Sequence, residues 1–273
     1  MKHLQVEILS QRQIAEGFME MTMRWPEDAP IPHPGQFFTV RVSEGPSPLL
    51  RRPFAFSGFS IDTSGGSRIL TTRTIYQKRG PATQAMSGMS AGESLDILAP
   101  LGTAFPDPFE AHSSREDSQS RPVLIAGGVG VGPMLYLAES LRAADPLLVI
   151  GARNKTLLPL SCLPDTIETI LCTDDGSYGC AGTVIDALQQ RRATDCSTVY
   201  ACGPNPMLAA AHNWAADMKL PCFVSMEQTM GCAVGACMGC VVPVHGPQPY
   251  ARVCIEGPVF SSDLIDWEGL AHG

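Results

Sequence analysis

Apolar and polar residues alternate in short runs through the first hundred positions. LQVEIL (4–9), FFTVRV (37–42), RILTTRTIY (68–76) and ESLDIL (93–98) are rich in β-branched side chains and bounded by Gly, Pro and Ser. Strands of that length and spacing predict a small antiparallel barrel or sandwich over residues 1–102. The stretch DPFEAHSSREDSQSR (107–121) is polar, has no apolar period and reads as an exposed loop within a linker over 103–121.

From residue 122 the pattern changes. PVLIAGG, LLVIGA, TIETILCT and STVYACG are apolar enough to be strands buried on both faces. Between and after them lie runs of helical period, PMLYLAESLRAA, TVIDALQQRR and PMLAAAHNWAADM. Strands alternating with helices predict a parallel, doubly wound sheet over 122–221. Residues 222–273 are rich in Cys, Gly and Pro and lack a long periodic run, so a third small unit is expected, held by something other than a large core.

Composition narrows the picture. The 273 residues carry a net charge of −8 and no Lys/Arg cluster, which argues against sequence-independent nucleic-acid binding. No apolar run reaches the roughly 18 residues of a membrane span, and the first residues lack the apolar core of a signal peptide. A cytoplasmic protein is the expectation. Of the ten cysteines, six are scattered (162, 172, 180, 196, 202 and 222) and are expected to be reduced thiols, mostly buried.

The other four, Cys232, Cys237, Cys240 and Cys254, follow C-x4-C-x2-C-x13-C. That is the spacing with which plant-type ferredoxins hold a [2Fe–2S] cluster. The small residues of GCAVGACMGC let backbone N–H groups approach the sulfurs. A structural zinc site is the alternative, although such sites usually use two short Cys or Cys/His pairs.

In the second segment Gly127, Gly128, Gly130 and Gly132, followed by Pro133, stand between a strand and a helix, where a phosphate can approach backbone and helix N-terminus. Two further Gly- or Pro-bearing loops, CTDDGSYGCAGTV and ACGPNPM, follow strands of the same sheet, and three loops at one sheet edge suggest a cleft. Asp174 and Asp175 read as turn residues.

With RRPFAFSGF (51–59), these regions resemble the ferredoxin–NADP reductase superfamily. Within it, the cysteine tail is similar to the electron-transfer subunits of the two-subunit, NAD-linked dihydroorotate dehydrogenases. The resemblance covers essentially the whole chain. It implies an FAD-binding antiparallel β-barrel, a central Rossmann-like parallel sheet for NAD(H) and a small C-terminal [2Fe–2S] domain. Arg52, Pro53, Phe54, Ala55, Phe56 and Ser57 are similar to the segment lining the isoalloxazine and pyrophosphate of FAD, with Ala55 where Ser is usual. Ile75, Tyr76 and Gln77 resemble the strand packed along FAD. Gly80, Ala82 and Thr83 resemble its phosphate loop, with Ala82 where Gly is usual. Gly127 to Pro133 resembles the nicotinamide-dinucleotide loop, Cys202-Gly203-Pro204 the segment near the nicotinamide, and Glu227 the approach to the cluster.

The implied activity passes electrons between NAD(H), FAD and the cluster, and on to or from an FMN-containing catalytic subunit that oxidises dihydroorotate in pyrimidine biosynthesis. The implied assembly is a heterotetramer of two catalytic and two electron-transfer subunits. Hydride transfer to flavin needs no acid–base pair, and none is assigned. Two other readings stay open at this point. One is an electron-transfer subunit of a related hydrogenase, sulfide dehydrogenase or ferredoxin–NADP oxidoreductase. The other is a zinc-stabilised nucleotide-binding regulatory module.

Overall fold

The computed structural model describes residues 1–42, 45, 48–64, 66–107, 121–193 and 195–271. Seven antiparallel strands form the first layer: β1 (Lys2–Ala15), β2 (Phe18–Trp25), β3 (Phe37–Arg41), β4 (Arg52–Ala55), β5 (Gly58–Asp62), β6 (Ile69–Gln77) and β7 (Ser94–Leu101). Their order is β4-β3-β7-β1-β2-β6-β5. Phe56 and Ser57 alone connect the two end strands, and the Ser57 N–H donates to the Arg73 carbonyl (2.7 Å), so the sheet curls almost shut into a barrel. Its interior holds Trp25, Phe38, Phe56 and Tyr76, with Trp25 edge-on to Phe56 at 5.5 Å. A short helix, α1 (Pro81–Ser87), follows β6.

Alternation located this sheet but understated two strands. β1 runs well past LQVEIL because register shifts between Ile8 and Ser10, and again between Gln13 and Ala15, switch its inward face. β2 begins with four consecutive buried residues, since Phe18 packs among the residues of the second sheet while Met19 packs inside the barrel.

The second sheet contains β8 (Arg121–Gly127), β9 (Leu147–Ala152), β10 (Thr169–Thr173), β11 (Cys180–Ala181), β12 (Cys196–Cys202), β13 (Cys222–Ser225) and β16 (Val259–Ser261). The order is β11-β10-β9-β8-β12-β13-β16, all parallel except β16. Helices α2 (Val131–Ser140), α3 (Val184–Arg191) and α4 (Asn205–Asp217) provide the crossovers. β8 is buried at every position, as expected for a central strand covered on both faces. Strand order reverses between β8 and β12, where open α/β sheets place ligands.

β8 starts on Arg121, at the end of the predicted loop. The Arg121 guanidinium donates to the carbonyls of Asp145 (2.7 Å) and Pro146 (3.1 Å) and to Glu168 (2.5 Å), which anchors the lower end of the sheet. Residues 108–120 of that loop lie outside the described residues. The C-terminal tail is not separate from the sheet. Its first residues form β13, and its later ones return as β16 beside it. Between them is a hairpin, β14 (Val241–Pro243) and β15 (Tyr250–Arg252), and a last helix, α5 (Trp267–Ala271), ends the chain's described part. No helix among the described residues is long and apolar enough to cross a membrane.

Candidate functional site

Two loops meet where the strand order reverses. A Cβ on Gly130 would stand 2.1 Å from the Cys202 carbonyl oxygen, and one on Gly203 would stand 3.1 Å from the N and O of Gly127. These glycines therefore let the loops after β8 and β12 touch backbone to backbone. Gly127 likewise makes room for the Met207 sulfur, which a Cβ would meet at 2.7 Å. Gly132 meets the barrel, where its Cβ would lie 2.3 Å from Ser57 Oγ. Gly128 differs. It sits at φ +57, a conformation that favours glycine, and no described atom lies within 4 Å of its Cβ direction. Of the four, Gly128 is the one that leaves open space before backbone. Pro133 is buried in the first turn of α2. Cys202 is paired in register with Ser225, and burial pushes its thiol up to about 12, with the Glu227 carboxylate acting in the same direction. Glu227 is itself exposed.

Ser57 links this crevice to the barrel. Its hydroxyl accepts the Ile75 N–H (2.9 Å), fixing the β4–β5 connection against β6. Phe56 points wholly into the barrel core, so only its backbone faces outward. Phe54 lies between Phe38 and Tyr76, and Tyr76 donates to Gln11 while burial raises its phenol far above the ordinary range. Ala55 has its carbonyl occupied by Thr74 Oγ1 (2.9 Å). Arg52 and Pro53 pair with Val40 and Thr39 at the barrel edge, and Arg52 Nη1 donates to the Leu50 carbonyl (2.9 Å). At the far end of β6, past half-buried Gln77, Thr83 Oγ1 accepts the N–H groups of Arg79 (2.9 Å) and Gly80 (3.2 Å). Gly80 faces open space, whereas the Ala82 methyl is turned inward and buried.

The four clustered cysteines come together as two pairs. Cys232 and Cys237 belong to one tight loop in which the Cys237 N–H donates to Cys232 Sγ (3.3 Å) and the Gly239 N–H to Cys237 Sγ (3.4 Å). Ala233, Gly235 and Met238 all have φ near +60 to +80 (59, 79 and 55), so the loop is wound through the left-handed region even at non-glycine positions. Backbone N–H groups, that of Val234 first, draw the Cys232 thiol down to about 6. Cys240 and Cys254 flank the β14–β15 hairpin. Val241 opposes Arg252, and the Val253 N–H donates to the Cys240 carbonyl (2.9 Å), which sets the two thiols side by side and buried. Burial, and then Cys240, push the Cys254 thiol up to about 11. Arg252 ties the halves together through the Gly235 carbonyl (3.1 Å) and Glu256. Among the described residues no three or more His, Cys, Asp or Glu converge as they would around a single ion. A two-iron core takes its four sulfurs two per iron and does not require that convergence.

Several contacts in this region carry no sequence signal. The meeting of Gly132 with Ser57, and of Gly130 with Cys202, joins residues far apart in the chain. Lys155 lies over the Tyr178 ring at 5.3 Å, beside a turn in which Asp175 accepts the Ser177 N–H (2.9 Å), so Asp175 is a turn residue.

Comparison with known proteins places this geometry in context. The iron–sulfur cluster binding domain of dihydroorotate dehydrogenase B matches residues 227–266. The electron transfer subunit of dihydroorotate dehydrogenase B (NAD(+)) from Geobacillus thermodenitrificans is 36% identical over 262 residues, 94% of this chain and 96% of that protein. The subunit of the same name from Caldanaerobacter subterraneus is 32% identical over 264 residues, 96% of this chain and 98% of that one. A solved NADH-dependent reduced ferredoxin–NADP oxidoreductase, studied for flavin-based electron bifurcation, superposes with a TM-score of 0.77 at 26% identity, over 98% of this chain and 91% of that one. A Neisseria gonorrhoeae ferredoxin NADP+ reductase with FAD and NADP bound shares the fold, with a TM-score of 0.60 at 17% identity over 80% of this chain and 92% of its own.

Proposed function

The chain belongs to the family of dihydroorotate dehydrogenase B electron-transfer subunits, and on that premise we propose that it conducts electrons between NAD(H), FAD and a [2Fe–2S] cluster and exchanges them with a dihydroorotate dehydrogenase catalytic subunit. The observation that carries the reading is the arrangement of Cys232 with Cys237 and of Cys240 with Cys254, two thiol pairs on neighbouring loops. Each pair would hold one iron, and the N–H groups of Cys237 and Gly239 would stabilise the more negative reduced state.

The barrel segment suits FAD. Arg52 offers a cation at the barrel edge, Ser57 a hydroxyl fixed by Ile75, and Gly80 with Thr83 an open turn for phosphate. Pro53 to Phe56 and Ile75 to Gln77 supply the stiff wall, with their side chains largely committed to the core. The loops Gly127–Pro133 and Cys202–Pro204 suit NAD(H), and the open left-handed Gly128 is the position best placed to meet a phosphate. Bound, the flavin supplies the step between two-electron hydride chemistry and one-electron transfer, while the protein positions and tunes it. Family resemblance supplies the rest of the reading: FMN in the catalytic subunit, two copies of each subunit, and a cytoplasmic setting.

The chain purified with its partner should contain flavin, iron and acid-labile sulfide. It should show flavin absorbance near 450 nm with cluster bands reaching about 550 nm and reduce NAD+ with dihydroorotate. A colourless, zinc-containing protein would sink the reading. The likeness to the ferredoxin–NADP oxidoreductase keeps one rival, reduction of ferredoxin with no dihydroorotate turnover, and the same assay separates the two.

A further inference from the structure

Arg73, on β6, bridges the barrel and the helix that follows the glycine loop. Its Nη2 donates to Glu139 Oε1 on α2 (2.7 Å), and its Nη1 stands 3.7 Å from Glu20 Oε1 on β2. Glu20 is almost fully buried and is also held by Arg12 Nε (2.7 Å). The guanidinium passes directly over Gly58, where a Cβ would lie 2.6 Å from Nη2, so the glycine clears its path. The Arg73 carbonyl meanwhile accepts the Ser57 N–H (2.7 Å), and Ser57 is the residue pressed against Gly132 at the start of α2. α2 is therefore pinned to the flavin segment at both ends: at Gly132 by contact with Ser57, and at Glu139 by the Arg73 fork. The planar guanidinium on its long stem presents one nitrogen to a carboxylate on each body.

We propose that Arg73, through Glu20 and Glu139, is a positioning residue that sets the nicotinamide loop at hydride-transfer distance from the flavin segment. The inference rests on the functional reading above. Hydride transfer falls steeply when donor and acceptor separate, so a clamp one helix away from the reacting atoms acts on the rate and not on affinity. An ion pair that served stability alone, with Glu139 half exposed, would contribute little and leave the rate untouched.

The test compares Arg73→Met, Arg73→Lys and Glu139→Gln in the full chain with its partner. At saturating NADH the rate constant of flavin reduction should fall about tenfold in Arg73→Met and about threefold in Glu139→Gln. NADH affinity and flavin content should stay within about twofold, the slowed step should keep a primary deuterium isotope effect from 4-deuterated NADH, and Arg73→Lys should recover part of the rate. In the full chain with its partner, amide exchange across 131–140 and 58–62 should rise in both Arg73→Met and Glu139→Gln. Unchanged reduction rates, or losses that merely track lost flavin, overturn the proposal. If Arg73→Met fails to fold, exposed Glu139→Gln decides alone. A wild-type protein that NADH cannot reduce would overturn the functional reading instead, while unchanged amide exchange would still overturn the clamp.

Discussion

Two glycine-rich loops in this molecule look alike as sequence and work in opposite ways. In Gly127–Gly132 three of the four glycines are filled by protein: Gly127 by Met207, Gly130 by the Cys202 carbonyl, and Gly132 by Ser57. That loop is assembled by packing and would keep its shape without a ligand. In Gly231–Cys240 the small residues instead let N–H groups reach sulfur, and the path through Ala233 and Met238 is strained. Strain of that kind persists only if something else holds the loop, and a metal core bound by four thiolates would do so. Glycine in the first loop answers to protein atoms brought in from elsewhere in the chain, whereas Gly231 and Gly239 in the second lie against the Cys237 sulfur.

The contrast can be broken in four ways, taken from the largest expected effect down. Cys240→Ser should abolish the cluster outright, removing the long-wavelength visible absorption while flavin remains. Its side chain belongs to the buried pair with Cys254. Chelation of iron from the intact complex should expose amides of residues 231–254 to exchange and leave 127–132 protected, measured by mass spectrometry. Equal loss of protection in both loops would erase the distinction. Gly130→Ala should cost about 3 kcal/mol in denaturant unfolding, because the new methyl would drive into the Cys202 carbonyl. Gly128→Ala has open space and only its φ of +57 to oppose it, so it should cost about 1 kcal/mol. It should nevertheless weaken NADH binding measurably by titration, whereas a Gly128 that served packing alone would leave NADH affinity intact.

Much of the architecture was legible because it rests on periodicity. Buried runs such as PVLIAGG and LLVIGA have few alternatives to central parallel strands, and the cysteine spacing reports loop size directly. β2 escaped notice because its first residues serve two cores at once, which removes alternation. The tail read as a separate unit in sequence, yet Cys222–Ser225 and Val259–Ser261 are strands of the second sheet; three- and four-residue strands leave too short a pattern to recognise. The glycine loop read as one phosphate cradle, and no sequence pattern could divide its residues, since what fills Gly130 and Gly132 comes from Cys202 and Ser57. Arg73 and Glu139 were unremarkable surface charges until the fold brought them together.

The pairing of β13 with β16 has a consequence for how the cysteine-bearing segment is held. Ser225 and Val259 face each other across that ladder, about 5 Å apart as antiparallel partners are. Everything from Met226 to Pro258 therefore leaves and re-enters the sheet at a single doorway, closed by the Met226 N–H on the Pro258 carbonyl (2.8 Å). A segment with its ends so close leaves the order of the strands behind it untouched, while Met230, Val242 and Val253 bind it to the same core as those strands. The cysteine-bearing excursion is in this sense an appendage with one entrance but a shared foundation, since its core also takes in Phe37 and Leu101 of the barrel.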